Sequence, residues 1–299
     1  MELTRRLDAY IRLVRPKTVI STILAAIGGS FYAGNPLEYS SIHIPLMVIT
    51  GVTLAHFSIN ALNDYIDYKS GLDLRAPRTP FSGGSKVLVD NIITPIEALL
   101  ITLTSLSLAF IIGLYLTLYR GLLVLILAIT GALIITTYNK ILVKIYLGEI
   151  AVWIKGVLVF IGTLYTITGF ISLQAIVVGL IYGNVSTLVL YANFIPDIEA
   201  DRLAGRRNLP ILLGGKAWLG YLLLSLTLTL ILILSTILNL LNPLALLALA
   251  PLTLTPKVSY KLKTYKEFKE LIEALALNVK MCRSVDIIVT IAIIANAFL

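Results

Sequence analysis

The chain of 299 residues contains one cysteine, Cys282, and two histidines, His43 and His56. A single thiol excludes disulfides within the chain and any cysteine-built metal centre, and two histidines argue against a zinc site. Charge is equally scarce: 13% of the residues are Asp, Glu, Lys or Arg, against 58% hydrophobic. A soluble globular domain carries about a quarter charged residues. No motif for binding RNA or DNA accompanies the net charge of +8. What fills the chain instead is a series of apolar runs of about 18 residues or more, the length a helix needs to cross a bilayer. Only helices satisfy their backbone within such runs, so the composition predicts an all-α polytopic membrane bundle, one domain over 1–299.

About nine spans are expected, near 17–34, 41–64, 94–118, 120–138, 146–168, 171–194, 217–239, 242–258 and 284–299. The basic N-terminal stretch followed by an apolar run reads as the first span, because the run is long, lacks a clear cleavage site and precedes many like it. Of the 24 basic residues, all but Arg120 and Lys155 fall in the N-terminal segment or in loops that alternate onto one side. That asymmetry predicts a cell-membrane protein with a cytoplasmic N-terminus. The positive charge then reflects topology and anionic lipid. The basic run 260–275, YKLKTYKEFKELIEAL, is expected as an interfacial helix on such lipid.

Two polar stretches interrupt the apolar pattern on that same side: NALNDYIDYKSGLD at 60–73 and YANFIPDIEADRLAGRRNLP at 191–210. In a helix, Asn60, Asn63, Asp64 and Asp67 are spaced i, i+3, i+4, i+7 and share one face, with His56 one turn deeper. Asn193, Asp197 and Asp201 share a face in the same way. Each stretch closes a pair of spans, so the chain reads as a pseudo-repeat of two four-helix halves around a central cavity. Solvated helix caps are one explanation of each cluster. Two clusters at matching places favour a second. Carboxylates crowded at a membrane edge repel one another and resist desolvation, and a divalent cation offsets that cost. Hard oxygen donors suit Mg²⁺, usually held by one or two carboxylates together with substrate phosphates. Two such faces can hold two Mg²⁺ around one diphosphate, with arginines and lysines of the adjoining loops taking the remaining charge. A cation-coupled transporter also places carboxylates at a repeat interface, but near the bilayer midplane.

NDYIDYKSGLD resembles the first aspartate-rich motif of the UbiA superfamily of intramembrane prenyltransferases, and DIEADRLAGRRNLP resembles the second. The likeness extends over the whole chain. The last aspartate of the first motif, Asp73, stands six residues after Asp67, a spacing similar to that of the branch that prenylates 1,4-dihydroxy-2-naphthoate in menaquinone synthesis. NFIPDIEADRLAGRRNLPILLG and YLGEIAVW look like that branch too. Pro196, Asn208 and the close pair Tyr138 and Lys140 in YNK depart from the usual patterns.

The resemblance implies transfer of an isoprenyl group from a prenyl diphosphate to a lipophilic, aromatic, quinone-precursor-like acceptor, with Mg²⁺ assisting diphosphate release at the cytoplasmic side. It implies metal ligation by Asn63, Asp67, Asp73, Asp197 and Asp201. Diphosphate binding falls to Asn60, Arg75, Arg78, Lys140 and Arg206. Catalytic roles fall to Asp64, Tyr138 and Lys140, Tyr138 through its ring face to an allylic cation. Asp64, Glu149 or a water is expected as the base. Gly83 and Gly84, in the loop 75–90, can offer amides to phosphate or belong to a lid. Lys155, two turns into its span, either snorkels or reaches the mouth of the site. No nucleic acid and no obligatory protein partner is expected. The rival readings are a superfamily enzyme with a geranylgeranylglyceryl phosphate acceptor and the transporter. The D-G-x-x-A-R pattern of phosphatidyl-alcohol transferases is missing.

Overall fold

The computed structural model describes residues 2–299, and the described residues are helical throughout, joined by turns and loops. An amphipathic helix α1 (Glu2–Val14) precedes α2 (Pro16–Phe31). Then come α3 (His43–Lys69), the single turn α4 (Leu72–Arg75), α5 (Pro95–Arg120) and α6 (Leu122–Thr137). The second half begins with α7 (Gly148–Thr168) and α8 (Leu173–Phe194), continues through the short α9 (Ile198–Leu203) and α10 (Leu209–Leu213), and reaches α11 (Ala217–Ile237). It ends in α12 (Leu249–Leu252), α13 (Thr255–Thr264) and α14 (Phe268–Asn296).

Local chemistry explains several of the boundaries. Thr94 opens α5 with a capping box closed by Glu97, and Pro95 takes the first helical position where no N–H is needed. Ser172 caps α8 by accepting from the Ala175 N–H. Arg15, between α1 and α2, sits in the left-handed region at φ 48°. That backbone is costly for an arginine and marks a place where the surroundings hold it.

Five helical segments are long and apolar enough to cross a membrane: α3, α5, α7, α8, and the stretch Leu209–Ile237 containing α10 and α11. The shorter α6 is also apolar. The span expected at 242–258 is not one helix. Pro243, Pro251 and Pro256 divide it into a 3₁₀ segment Pro243–Ala248, α12 and the start of α13, since each proline removes a backbone donor. The span expected at 284–299 is the last part of the 29-residue α14. Nor is 260–275 a single helix: the chain turns between α13 and α14, and Leu271, Ala274 and Leu275 at its end are buried in the bundle.

Packing is uneven. The largest buried cluster joins α8 (Val178, Tyr182, Leu188) to α11 (Leu228, Leu232) and α14 (Val285). Helices α7 and α8 cross closely because Gly156 meets Gly183: a Cβ on Gly156 would lie 2.6 Å from the Gly183 Cα. Small residues at such crossings let membrane helices pack backbone to backbone. Helices α3, α5 and α6 of the first half, with α7 of the second, line a cavity of about 210 Å³ whose wall includes Val52, His56, Ile59, Gly131, Ile135 and Lys155.

Candidate active site

The first acidic motif forms the final turns of α3 as far as Asp67, while its last aspartate, Asp73, lies beyond the helix on the single turn α4. The second does not continue α8 as one face. Pro196 lies in a turn over 195–197, and α9 restarts at Ile198, so Asp197 and Asp201 stand on a separate short helix. Beyond the break, α9 packs beside α4, the turn that carries Asp73.

One arginine joins the two motifs. Arg206 Nη2 donates to Asp67 Oδ1, and its Nη1 donates to Asp201 Oδ1 at 3.1 Å. The same Nη2 donates to Asn139 Oδ1 at 3.3 Å, and Asn139 in turn donates to Asn63 Oδ1 at 2.9 Å. Asn208 caps α10 and also donates to Asp201 Oδ2 at 3.0 Å. Arg206 therefore gathers Asp67 of α3, Asn139 of the α6–α7 loop and Asp201 of α9 at one point, with Asn63 joined through Asn139.

A single loop touches the remaining acids. The Ser82 hydroxyl reaches Asp197 Oδ1 at 3.4 Å. Asp73 lies against Gly84, where a Cβ would sit 2.5 Å from Asp73 Oδ1, and Gly84 takes φ +76°. Only glycine fits there on both counts. Ser85 donates to Asp64 through its N–H at 3.0 Å and through its hydroxyl. Lys86 is 4% exposed, donates to the Asp73 carbonyl at 2.5 Å and lies 3.9 Å from Asp73 Oδ1. Asp64 also pairs with Arg15, which explains the strained backbone at that junction. The Arg15 Nε is buried without a partner.

This is an acid-rich pocket short of positive charge. Burial, and then the charges of Asp64 and Asp67, push the Asp73 carboxyl up to about 7. Burial and the Asp201 charge push Asp197 up to about 7. Burial raises Asp201 to about 6, with Arg206 working against the rise. Burial pulls Arg206 down, but the two carboxylates more than reverse it and hold its proton firmly. Acids that resist ionisation for want of a counter-charge are suited to a divalent cation, and every side-chain donor is a hard oxygen. Among the described residues, no three acids converge closely enough to bind one ion by themselves.

Other residues named from the sequence lie elsewhere. Asn60 turns to the α1–α2 junction and donates to the Val14 carbonyl at 2.8 Å and Thr18 Oγ1 at 3.1 Å, because it sits two turns deeper than Asp67. Arg75 and Lys140 are exposed, and exposed Arg78 is committed to Asp90 Oδ1 at 2.5 Å. Their loops face outward. Tyr138 is buried beside Val143 and Ala151, its hydroxyl unpartnered, and burial pushes its phenol up. Glu149 Oε1 accepts from the Leu209 N–H at 2.7 Å while Oε2 has no partner. Arg15, Asn139, Ser82, Ser85 and Lys86 were not singled out from the sequence. A basic residue before proline and a polar pair in YNK were the available signals, and neither reveals a contact across the bundle.

An all-helical membrane bundle with two acidic motifs brought together at one end defines a class that the comparisons with known proteins specify. The UbiA prenyltransferase family matches residues 19–279, and the chain belongs to that family. It is an enzyme of prenyl transfer. It is 30% identical over 222 residues to a 1,4-dihydroxy-2-naphthoate octaprenyltransferase of Haemophilus influenzae, covering 71% of each chain. Among solved structures, the apo form of a UbiA homologue from Aeropyrum pernix K1 superposes with a TM-score of 0.70 at 19% identity, covering 94% of this chain and 98% of that one. A UbiA homologue from Archaeoglobus fulgidus bound to GPP and Mg²⁺ gives 0.63 at 14% identity, covering 96% and 99%. A structure of digeranylgeranylglyceryl phosphate synthase gives 0.63 at 22% identity, covering 98% of each chain.

Proposed function

We propose that this enzyme moves an isoprenyl group from a prenyl diphosphate to an aromatic, naphthoate-like acceptor, at a site on the cytoplasmic side of the cell membrane. The observation that carries the reading is the shared guanidinium of Arg206, which brings Asp67 and Asp201 to one place. Asn63, Asp67, Asp73, Asp197 and Asp201 would hold Mg²⁺, which supplies charge neutralisation at the leaving diphosphate. Arg206 and Arg15 have guanidinium donors to spare for phosphate oxygens once a cation satisfies the acids, and buried Lys86 lies beside Asp73. The loop 82–85 covers the acids and keeps bulk water away. The isoprenoid tail follows the cavity beneath, which runs from Ile59 to Val48, about 16 Å along α3 at 1.5 Å per residue. Tyr138, next to Ile59 and Ile134, closes the boundary between acids and cavity.

The naphthoate-like acceptor is favoured over a glyceryl phosphate lipid by the Haemophilus relative and the Asp73 spacing. Purified protein in detergent, given Mg²⁺ and geranyl or longer diphosphates, is expected to prenylate 1,4-dihydroxy-2-naphthoate with release of diphosphate. EDTA is expected to abolish the reaction and Mg²⁺ to restore it. Transfer to geranylgeranylglyceryl phosphate alone would reassign the acceptor. Intact turnover after both Asp67→Ala and Asp201→Ala would overturn the site.

A further inference from the structure

Two ionisable side chains of the cavity wall play no part in the acid site: His56 on α3 and Lys155 on α7. Lys155 lies deep in a membrane helix yet retains accessible surface, because it faces the cavity. Among the described residues its ammonium makes no hydrogen bond and no ion pair within 4 Å. An ammonium in apolar surroundings without a partner costs several kcal/mol. The acid whose field reaches it is Asp286 on α14, a fully buried carboxylate whose two oxygens make no hydrogen bond of their own. His56 Nδ1 is bound to Thr22 Oγ1 at 2.7 Å, which leaves Nε2 towards the cavity.

Position narrows what the lysine can meet. It stands seven residues beyond Gly148, about 10 Å along the axis from the end of α7 that carries Glu149. Side chains on a helix lean towards its N-terminus, so the Lys155 stem leans back towards the acid site. A bare cation there would oppose the positive charge developing on the prenyl carbon. An anion seated on it removes that opposition.

We infer that Lys155, with His56 beside it, forms the acid-recognising end of the acceptor subsite and binds the carboxylate of an aromatic acid acceptor. This rests on the prenyl-transfer reading above and names its specificity residue. The ring of the acid then lies at the acid-site end of the cavity, against Ile59 and Ile135 and alongside the first isoprene unit, while the rest of the tail continues past it towards Val48. The competing explanation is that Lys155 serves only as a counter-charge to Asp286.

The test compares two acceptors, 1,4-dihydroxy-2-naphthoate and 1,4-dihydroxynaphthalene, which lacks the carboxylate. In detergent with Mg²⁺ and labelled geranyl diphosphate, Lys155→Met is expected to raise KM for the naphthoate about tenfold or more. KM for geranyl diphosphate should stay unchanged, as should whatever turnover the diol shows. Lys155→Arg should recover most of the naphthoate KM. Lys155→Met combined with Asp286→Asn should stay defective. The proposal is overturned if both acceptors and the diphosphate suffer alike, if Asp286→Asn restores the double variant, or if Lys155→Met leaves the naphthoate KM unchanged. A wild-type protein that prenylates neither acceptor would instead sink the function proposed above, and this inference with it.

Discussion

Helix α5, in the first half of the bundle, has 17% of its most apolar stretch buried inside the protein; α8, in the second half, has 67%. Both are apolar enough to span a membrane. The difference lies in what the apolar side chains touch. Around α8 they meet α7, α11 and α14 in a continuous packed core. Around α5 many face outward, as Leu103, Ile111 and Leu118 do, while α3, α5 and α6 leave a cavity between them. The second half is a dense scaffold on which Ile198 of α9 packs. The first provides the space a substrate needs. A pseudo-repeat of similar helix pairs has thus been divided between rigidity and room.

The largest expected effect falls in the dense half. Phe160 is fully buried and stacks on Tyr182 at 5.2 Å between ring centroids. Phe160→Ala is expected to destabilise by about 3–5 kcal/mol, read as a lowered thermal midpoint in detergent. Next comes the join between the halves: Asp67→Asn should lower kcat/KM by about 10²–10³ with little change in that midpoint. A parallel loss of stability would mean the acid serves packing alone. The cavity should answer in the opposite sense to the core. A Cβ on Gly131 would meet nothing within 4 Å, so Gly131→Leu should change stability by less than about 1 kcal/mol. It should also cut turnover of long prenyl diphosphates about tenfold while sparing short ones, because it fills space the tail occupies. Equal losses on long and short chains would remove the tail from this cavity. The smallest effect is Arg78→Ala, an exposed pair with Asp90, expected to change kcat/KM less than about twofold, since such pairs contribute about 0–1 kcal/mol.

The division between halves also decides what the sequence made legible. Helix-length apolar runs locate α3, α5, α6, α7, α8 and α11 to within a few residues, because a bilayer demands that length of any span. They cannot say which run faces lipid and which a core, since both are equally greasy. The i, i+3, i+4, i+7 spacing of Asn60, Asn63, Asp64 and Asp67 puts them along one side of α3, yet each finds a different partner: Val14, Asn139, Arg15 and Arg206. Those partners lie 46 to 139 residues away in the chain, beyond the reach of local patterning. In the second motif, the regular spacing of Asn193, Asp197 and Asp201 concealed a break at Pro196. A proline inside a helical pattern is a warning that spacing alone does not capture.

The most direct test of the central claim, that the two acidic motifs act as one site, is a double-mutant cycle on ligand binding. Calorimetry with Mg²⁺ and a non-reactive prenyl thiolodiphosphate would compare the wild type, Asp67→Asn, Asp201→Asn and the pair. One shared site predicts that the double variant binds little worse than either single variant, a coupling above about 1 kcal/mol. Losses that add to within about 0.5 kcal/mol would contradict it.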